Sequence, residues 1–260
     1  MTPTDLQGPE VTDVDLGPGV GAWTTGRAPD VPPVVGEAGN LSHRRPHEPA
    51  RLAADRAAFA RRVGIDASAL VLMHQVHGPD VAVVDGTTPA GAEVRGVDAL
   101  VTAEPDRPLG VQVADCVPVL LAAHDHDGRA VAVGVAHAGR AGLAAGVVDA
   151  AVRALREVGG ADARLRAALG PAIGGCCYEV PAALRDEVDA QVPGSAGTTT
   201  WGTPALDLPA GVRRRLDELD VDHAGTAGPC TRCHADRFFS HRADANAGRQ
   251  LGVVVLRGAP

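Results

Sequence analysis

The sequence contains no lysine, and all 24 of its basic residues are arginine. This absence excludes a Schiff-base lysine, the phosphate-binding lysine of a Walker motif and a Ser–Lys nucleophile. Aromatic residues are also scarce, with two Trp, one Tyr and three Phe among 260 residues, which is too few for a surface that stacks nucleic-acid bases. The formal net charge of −8 also disfavours a broad nucleic-acid footprint. We therefore expect a small-molecule ligand and no nucleic-acid partner.

Long apolar runs are absent as well, since none approaches the roughly 18 residues that a membrane span needs. The first twenty residues carry acidic but no basic side chains, the reverse of a signal peptide. These features predict a cytoplasmic protein with no membrane partner. Five cysteines are too few for a disulfide scaffold, so we expect reduced thiols that serve metal binding, catalysis or burial.

Apolar runs and turn residues predict a mixture of strands and helices. Near-continuous apolar runs at Leu109–Ala123 and Ala130–His137 predict a buried hairpin. Apolar residues at helical intervals predict helices at Pro49–Arg62 and Leu143–Val158. Further elements are predicted at Val20–Thr25, Val71–His77, Val81–Asp85, Arg164–Leu169 and Leu251–Leu256 (strands) and at Pro181–Val192 and Pro209–Leu219 (helices).

These elements do not alternate in a regular βαβ order, so the predicted fold class is α+β. We find no repeat or linker that divides the chain and expect one domain over residues 1–260, with 1–20 as a flexible N-terminal segment. The stretch Arg27–Pro49 is rich in turn-forming residues and is predicted to be a long loop, either mobile or part of a site.

Three short segments place polar side chains that can bind metals within the apolar strands: His74-Gln75-Val76-His77-Gly78, Ala114-Asp115-Cys116-Val117-Pro118 and Ala136-His137-Ala138-Gly139. Each residue alone is explained by burial, but together they indicate a site. One Cys and two His, with a fourth position left for water, match the ligand set of catalytic zinc. A metal-free alternative stays open, in which Cys116 is a nucleophile and His137 is its base.

Other metal-capable residues give weaker signals. Cys230 and Cys233 have CxxC spacing, and Cys176-Cys177 could complete a structural zinc site. Adjacent cysteines rarely bind one tetrahedral metal well, however, so buried or unreactive thiols are the favoured interpretation. One HxH pair, His124-Asp125-His126, falls in the predicted hairpin turn and is expected to be solvated. Because a multicopper oxidase needs several such pairs, copper is the less favoured metal.

The order of these and later motifs resembles the YfiH/PgeF family, also called the laccase-domain or multicopper polyphenol oxidoreductase family. The resemblance runs from about Trp23 to Leu256. It rests on Gln75-Val76-His77-Gly78, Ala114-Asp115-Cys116-Val117-Pro118, His137-Ala138-Gly139, Gly170-Pro171-Ala172-Ile173-Gly174, Cys177-Tyr178-Glu179-Val180, Cys230-Thr231, Phe238-Phe239-Ser240-His241-Arg242 and Gly248-Arg249.

The resemblance implies a single α+β domain with mixed sheets in an αββα-like order and a zinc ion held by His77, Cys116 and His137. It also implies phosphorolysis of purine nucleosides, including methylthioadenosine, together with deamination of adenosine. Polyphenol oxidase activity, with copper, and a peptidoglycan-editing role are also attached to the family. Its fold is similar to that of Cys–His hydrolase toxins, which keeps open a Cys116 hydrolase acting on an amide in a cell-wall precursor.

The chain departs from the family pattern near the expected site. The family has HAGWRG where this chain has His137-Ala138-Gly139-Arg140-Ala141-Gly142, so the arginine has moved by one position. We expect Arg140, Arg27 and Arg242 to contact an anionic substrate and Asp115 to act as an acid, a base or an orienting group.

The leading hypothesis is a zinc-dependent enzyme acting on purine nucleosides, as a monomer or a homodimer. A non-enzymatic alternative treats the zinc as structural in a partner-binding module, in which case chelation would unfold the chain.

Overall fold

In a computed structural model, residues 8–29, 38–45, 47–223 and 228–258 are described. The strands are β1 (Val11–Asp13), β2 (Val20–Thr25), β3 (Leu72–His74), β4 (Val81–Val83), β5 (Glu93–Arg95), β6 (Ala99–Thr102), β7 (Leu109–Val113), β8 (Val117–His124), β9 (Ala130–Ala138), β10 (Arg164–Leu169), β11 (Ala196–Thr198), β12 (Pro204–Leu206), β13 (Asp222–His223) and β14 (Gln250–Leu256). The helices are α1 (Pro49–Val63), α2 (Arg140–Ala144), α3 (Val147–Gly159), α4 (Ala182–Gln191) and α5 (Leu208–Glu218).

Two large sheets form the centre of the fold. One has six strands in the order β13-β10-β8-β9-β6-β4 and mixes parallel with antiparallel pairs. The other has four strands in the order β1-β2-β14-β7, all antiparallel. Two short pairs, β3-β5 and β11-β12, complete the described strands.

The two sheets pack face to face, and helices cover their outer faces. Side chains such as Leu120, Val135 and Val254 fill the space between the sheets. Helices α2 to α5 cover the other face of the six-stranded sheet, and α1 covers the other face of the four-stranded sheet through Phe59 and Val63. This αββα order confirms the expected α+β class.

The β8–β9 hairpin explains the most apolar part of the sequence. In β8, Val119 and Leu121 face the helices, whereas Leu120 and Ala122 face the second sheet. Since successive residues of a strand point to opposite faces, a strand buried on both sides must be apolar at every position.

The structure differs from the sequence prediction at two breaks. The run Leu109–Ala123 is not one strand but two, β7 and β8, which lie in different sheets. The chain changes sheet at Asp115, which has a φ of 88°, a value that ends a strand. The helix predicted at Leu143–Val158 is likewise divided into α2 and α3, because Gly146 has a φ of 89°.

The N-terminal segment expected to be flexible contains a strand, since β1 pairs with β2; residues 1–7 lie outside the described residues. In the predicted 27–49 loop, residues 30–37 and 46 also lie outside them. Residues 38–42 of this loop pack inward, and Asn40, Leu41 and Ser42 are buried, whereas His43 and Arg44 are exposed. Within the described ranges, the helices are all too short or too polar to cross a membrane.

Candidate metal centre

The three sequence segments converge on one point, where His77, Cys116 and His137 bring one ligand atom each within 4.8 Å of the others. His77 follows β3 with a φ of 62°, Cys116 follows the break at Asp115, and His137 lies near the end of β9. The Sγ atom of Cys116 is 3.7 Å from Nε2 of His77. This result selects His77 rather than His74 as the second histidine of the cluster.

A glutamine fixes the loop that carries His77. The Gln75 side chain donates to the carbonyl of Gln112 (2.7 Å) and accepts from its amide (3.0 Å), as a neighbouring strand would. The loop after β3 is thereby joined to β7, which leads directly to Cys116.

Asp98, which the sequence analysis missed, holds two of the three candidate ligands. Its carboxylate is fully buried and accepts a hydrogen bond from Nδ1 of His137 (2.7 Å). It also accepts from the backbone amides of Val76, His77 and Gly78 at 2.8–3.0 Å. A carboxylate in this position fixes both the tautomer and the orientation of a metal-binding histidine. Asp98 precedes a strand in a sequence that resembles an ordinary turn, so no local signal identifies it.

The three groups form a charged network. Burial alone would raise the pKa of Cys116, but the charge of His137 and hydrogen bonds from His137 and His77 lower it from 9.0 to about 6. Burial would lower the pKa of His137, but attraction to Cys116 and the Asp98 hydrogen bond raise it to about 9. The same histidine and the backbone amides hold the pKa of Asp98 below its ordinary value against the effect of burial. The favoured state is therefore a thiolate beside an imidazolium.

The donor set fits a zinc ion. The Cys116 thiol has the lowered pKa that metal binding requires, and the bond from Nδ1 of His137 to Asp98 leaves Nε2 as the ring nitrogen that faces Cys116. One thiolate and two imidazoles suit zinc and copper alike. His77 is exposed, so one side of the cluster is open to solvent and has room for a further ligand.

Two cavities meet at this cluster. The first has a volume of about 470 Å³ and the second about 390 Å³, and both are lined by His77, Cys116 and His241. A larger cavity of about 560 Å³ lies among α2 to α5 and contains none of the three candidate ligands. We therefore regard the two smaller cavities as the candidate substrate sites.

The second cavity contains most of the predicted substrate residues. Asp115, Arg140 and Arg242 line it. Both carboxylate oxygens of Asp115 are engaged, one by the Thr231 hydroxyl (2.6 Å) and one by the Arg242 amide (2.7 Å). This geometry favours an orienting role for Asp115 over an acid or base. Arg27 lines neither cavity, because its guanidinium stacks on Phe239 and donates to the Phe238 carbonyl.

The first cavity contains cations that the sequence analysis did not assign. Arg45 and Arg249 line it and donate to backbone carbonyls; within the described residues neither pairs with a carboxylate. Burial and repulsion from Arg45 lower the pKa of Arg249 to about 10. Arg44, in contrast, is paired with Glu93 at 2.7 Å. The Gly248-Arg249 motif was a usable signal for this site.

Two further expectations concern residues outside the centre. The expectation that the HxH pair is solvated is correct for one residue only. His126 is exposed, but His124 ends β8 and is 5% exposed. The four remaining cysteines, expected to be buried or unreactive, lie together: Cys176, Cys177, Cys230 and Cys233 place their sulfurs within 4.8 Å of one another.

Comparison with known proteins identifies the family of the chain. Residues 21–257 match the family described as multi-copper polyphenol oxidoreductase laccase. The chain is 48% identical over 209 residues to purine nucleoside phosphorylase ORF3 of Streptomyces griseus, and the matched region covers 80% of this chain and 83% of that protein. It is 34% identical over 203 residues to purine nucleoside phosphorylase YlmD of Geobacillus stearothermophilus, covering 72% of each.

Solved structures agree in fold. The crystal structure of YlmD from Geobacillus stearothermophilus matches with a TM-score of 0.76 at 28% identity over 93% of each chain. That of Bacillus licheniformis YfiH matches with a TM-score of 0.78 at 26% identity, covering 99% of this chain and 100% of that one. With a family match over most of its length, and the expected resemblance thereby confirmed, the chain belongs to the multi-copper polyphenol oxidoreductase laccase family.

Proposed function

We propose that this protein is a zinc-binding purine nucleoside phosphorylase. The observation that carries the proposal is the junction of a cationic cavity and a more apolar cavity at the His77–Cys116–His137 cluster. In phosphorolysis the bond from C1′ of the ribose to the purine nitrogen breaks, a phosphate oxygen bonds to C1′, and the purine leaves with a proton. Such a reaction needs two adjacent binding sites, one for phosphate and one for nucleoside.

Phosphate binds in the first cavity. Arg45 and Arg249 bring two positive charges together there, and their mutual repulsion is relieved when an anion binds between or beside them. The Nε2 group of Gln112, which also lines this cavity, is buried and finds no acceptor within the described part of the chain. A phosphate oxygen satisfies such a donor.

The nucleoside binds in the second cavity. Ile173 and Leu208 provide apolar contacts there, and Tyr178 provides the aromatic ring. The ring of Tyr178 is held by the Arg242 guanidinium, 4.6 Å from its centroid, and Arg242 itself donates to the Glu179 carbonyl (3.0 Å). A purine stacks on such a tyrosine, while Arg140 at the start of α2 reaches the polar edge of the substrate.

His77, Cys116 and His137 would hold the zinc ion, which would supply Lewis-acid chemistry beside the substrate. Asp98 keeps His137 in the tautomer that leaves Nε2 available for the metal. Adenosine, inosine and methylthioadenosine are the proposed substrates. The proposed side reaction is deamination of adenosine, in which water adds to C6 of the purine, the bond from C6 to the amino nitrogen breaks, and ammonia leaves to give inosine. The proposed location is the cytoplasm, where such nucleosides and phosphate are found together.

Product analysis tests the proposal. Zinc-loaded protein is incubated with adenosine, with and without phosphate, beside the His77→Ala variant, and the products are separated by chromatography. We expect adenine only when phosphate is present, inosine without it, and loss of both in the variant. Absence of both products from protein that contains zinc would refute the proposal.

A pair of arginine variants tests the phosphate site. Arg249→Gln removes a cation of the first cavity, and we expect the KM for phosphate to rise by about tenfold or more, equivalent to the loss of one charge-assisted hydrogen bond. The KM for adenosine stays within about twofold. The matched control is Arg164→Gln, an exposed residue at the start of β10, which leaves both constants unchanged. An equal rise in both KM values would show that Arg249 does not belong to a phosphate site.

A second function is favoured by one specific observation. The thiolate of Cys116, the imidazolium of His137 and the carboxylate of Asp98 form the Cys–His–Asp arrangement of a nucleophilic hydrolase. In that case the substrate is an amide of a cell-wall precursor. Zinc blocks alkylation of Cys116 and inhibits the reaction, and activity survives chelation. Loss of amide hydrolysis on zinc removal would exclude this candidate.

A further inference from the structure

Four thiols outside the active centre come together from two separate parts of the chain. Cys176 and Cys177 lie in a tight turn after β10, and Cys230 and Cys233 lie in a turn more than fifty residues later. All four sulfurs are within 4.8 Å of one another. The Sγ atom of Cys233 is 3.6 Å from that of Cys176 and 3.4 Å from that of Cys177.

We propose that Cys176, Cys177, Cys230 and Cys233 bind a second metal ion, a structural zinc held by four thiolates. Zn–S bonds of about 2.3 Å in a tetrahedron place the sulfurs about 3.8 Å apart, close to the 3.4 and 3.6 Å in the structure. A disulfide would instead need sulfurs about 2.05 Å apart. Four sulfurs that converge at this spacing are the donor set of structural rather than catalytic zinc.

Backbone amides around Cys230 support a thiolate at that position. Its sulfur accepts the amide of Gly174 at 3.3 Å and lies near those of Arg232 and Cys233. In a CxxC turn that binds metal, such amides stabilise the negative charge of the first sulfur. The guanidinium of Arg232, between the two cysteines, lies 3.5 Å from the Cys177 carbonyl and offsets part of the charge of a four-thiolate site.

The tight turn also removes the difficulty with adjacent cysteines. The amides of Cys177 and Tyr178 both donate to the Gly174 carbonyl at 3.0 Å, so the backbone closes around one carbonyl. Both neighbouring sulfurs consequently approach Cys233. An extended backbone would direct the two side chains to opposite faces.

The second metal fixes a wall of the substrate site. Thr231, inside the CxxC turn, donates its hydroxyl to Asp115 (2.6 Å) and its amide to the Ala172 carbonyl (3.0 Å). Tyr178 follows Cys177 directly, and both Asp115 and Tyr178 line the second cavity. A metal that joins the two turns therefore holds this cavity in shape without contacting the substrate. Metal binding by these four cysteines does not depend on the reaction at the first centre, whereas its effect on the substrate site rests on the proposed function.

The decisive experiment isolates the second site. The His77→Ala/Cys116→Ser double variant removes two ligands of the first centre, is loaded with Zn²⁺ and dialysed, and its zinc content and X-ray absorption spectrum are measured. We expect about one zinc ion per chain, against about two in the unaltered protein, in line with the two Cys/His groups. Its nearest shell is four sulfurs at about 2.3 Å. Absence of zinc, a shell with nitrogen or oxygen, or cysteines found as disulfides by mass spectrometry would overturn the proposal.

The complementary variant is Cys230→Ser/Cys233→Ser, in which we expect the remaining zinc to show a mixed sulfur and nitrogen shell. If this variant does not fold, the first variant still decides the question through its melting temperature. A chelator must lower the melting temperature of His77→Ala/Cys116→Ser, since structural zinc contributes to folding. A melting temperature that does not respond to the chelator would contradict a structural role.

Discussion

The Asp98→Asn substitution probes how the candidate ligands are held. In the structure one oxygen of Asp98 accepts from the His77 amide and from Nδ1 of His137, and the other accepts from the amides of Val76 and Gly78. Asparagine replaces one of these oxygens with an NH₂ group, which donates and does not accept. If the NH₂ group replaces the oxygen that faces Val76 and Gly78, two of the four hydrogen bonds are lost. If it replaces the other oxygen, the His77 bond is lost and the His137 bond forms only with donor and acceptor exchanged.

The magnitude follows from this count. Hydrogen bonds to a buried charged group contribute about 1.5–3 kcal/mol each, so the loss of one or two lowers the free energy of unfolding by about 1.5–6 kcal/mol. This is a large share of the 5–15 kcal/mol typical of a domain. If the NH₂ group faces His137, the ring must accept at Nδ1 and carry its proton on Nε2, the atom needed by the metal. We therefore also expect a 10- to 100-fold loss of zinc affinity.

Urea denaturation measures the free energy of unfolding. Competition with a chromophoric chelator measures the zinc affinity of the folded protein. The matched control is Asp55→Asn. Asp55 is equally buried, and it accepts from the Gly39 amide and from Arg51, none of which lines the two cavities at the metal centre. We expect this control to lose stability but to keep its zinc affinity. Wild-type stability and zinc affinity in Asp98→Asn would refute the role assigned to Asp98.

Three further predictions concern the centre and the core. In metal-free protein the pKa of Cys116 is about 6 and that of His137 about 9, so the ion pair stabilises the fold between these values and is lost as the pH rises through about 9 or falls through about 6. Iodoacetamide should therefore alkylate Cys116 with a midpoint near pH 6, and a midpoint near 9 would contradict the pairing. Gly139→Ala places a Cβ 2.6 Å from the His77 ring and 3.1 Å from the Cys116 sulfur, so zinc affinity measured by chelator competition should fall by about 10- to 100-fold; unchanged affinity would refute the contact. Leu120→Ala, between the two sheets, should cost about 2–5 kcal/mol in urea denaturation, and a cost below about 1 kcal/mol would show a loosely packed interface.

The elements that depend on local pattern were predictable. Arg164–Leu169 and Val20–Thr25 form strands over the predicted ranges, and the predicted hairpin is β8–β9, because apolar runs between turn residues specify buried strands directly. The break at Asp115 was not predictable in the same way. It separates β7 from β8 inside a continuous apolar run, and its carboxylate is held by Thr231 and Arg242, more than a hundred residues away in sequence.

In the candidate site, too, some residues were predictable from local sequence and others were not. The three candidate metal ligands, His77, Cys116 and His137, occur in short motifs, and the structure brings them together. The residues that orient or surround them come from elsewhere. Asp98 looks like a turn residue, and Arg249 acts through its position beside Arg45. The contacts of Asp98 and Arg249 form only when distant segments of the chain come together in the fold.

The sequence by itself therefore determined the class of fold, the family and the three candidate metal ligands, because apolar periodicity and short motifs are local properties of the chain. Tertiary structure decided which carboxylate binds the His137 ring, which arginines line the two cavities and which thiols converge. The physical reason is that buried hydrogen bonds, charge repulsion and metal coordination act over a few ångströms, and here the partners are separated by tens to hundreds of residues. Folding of the two sheets against each other places those partners within that distance.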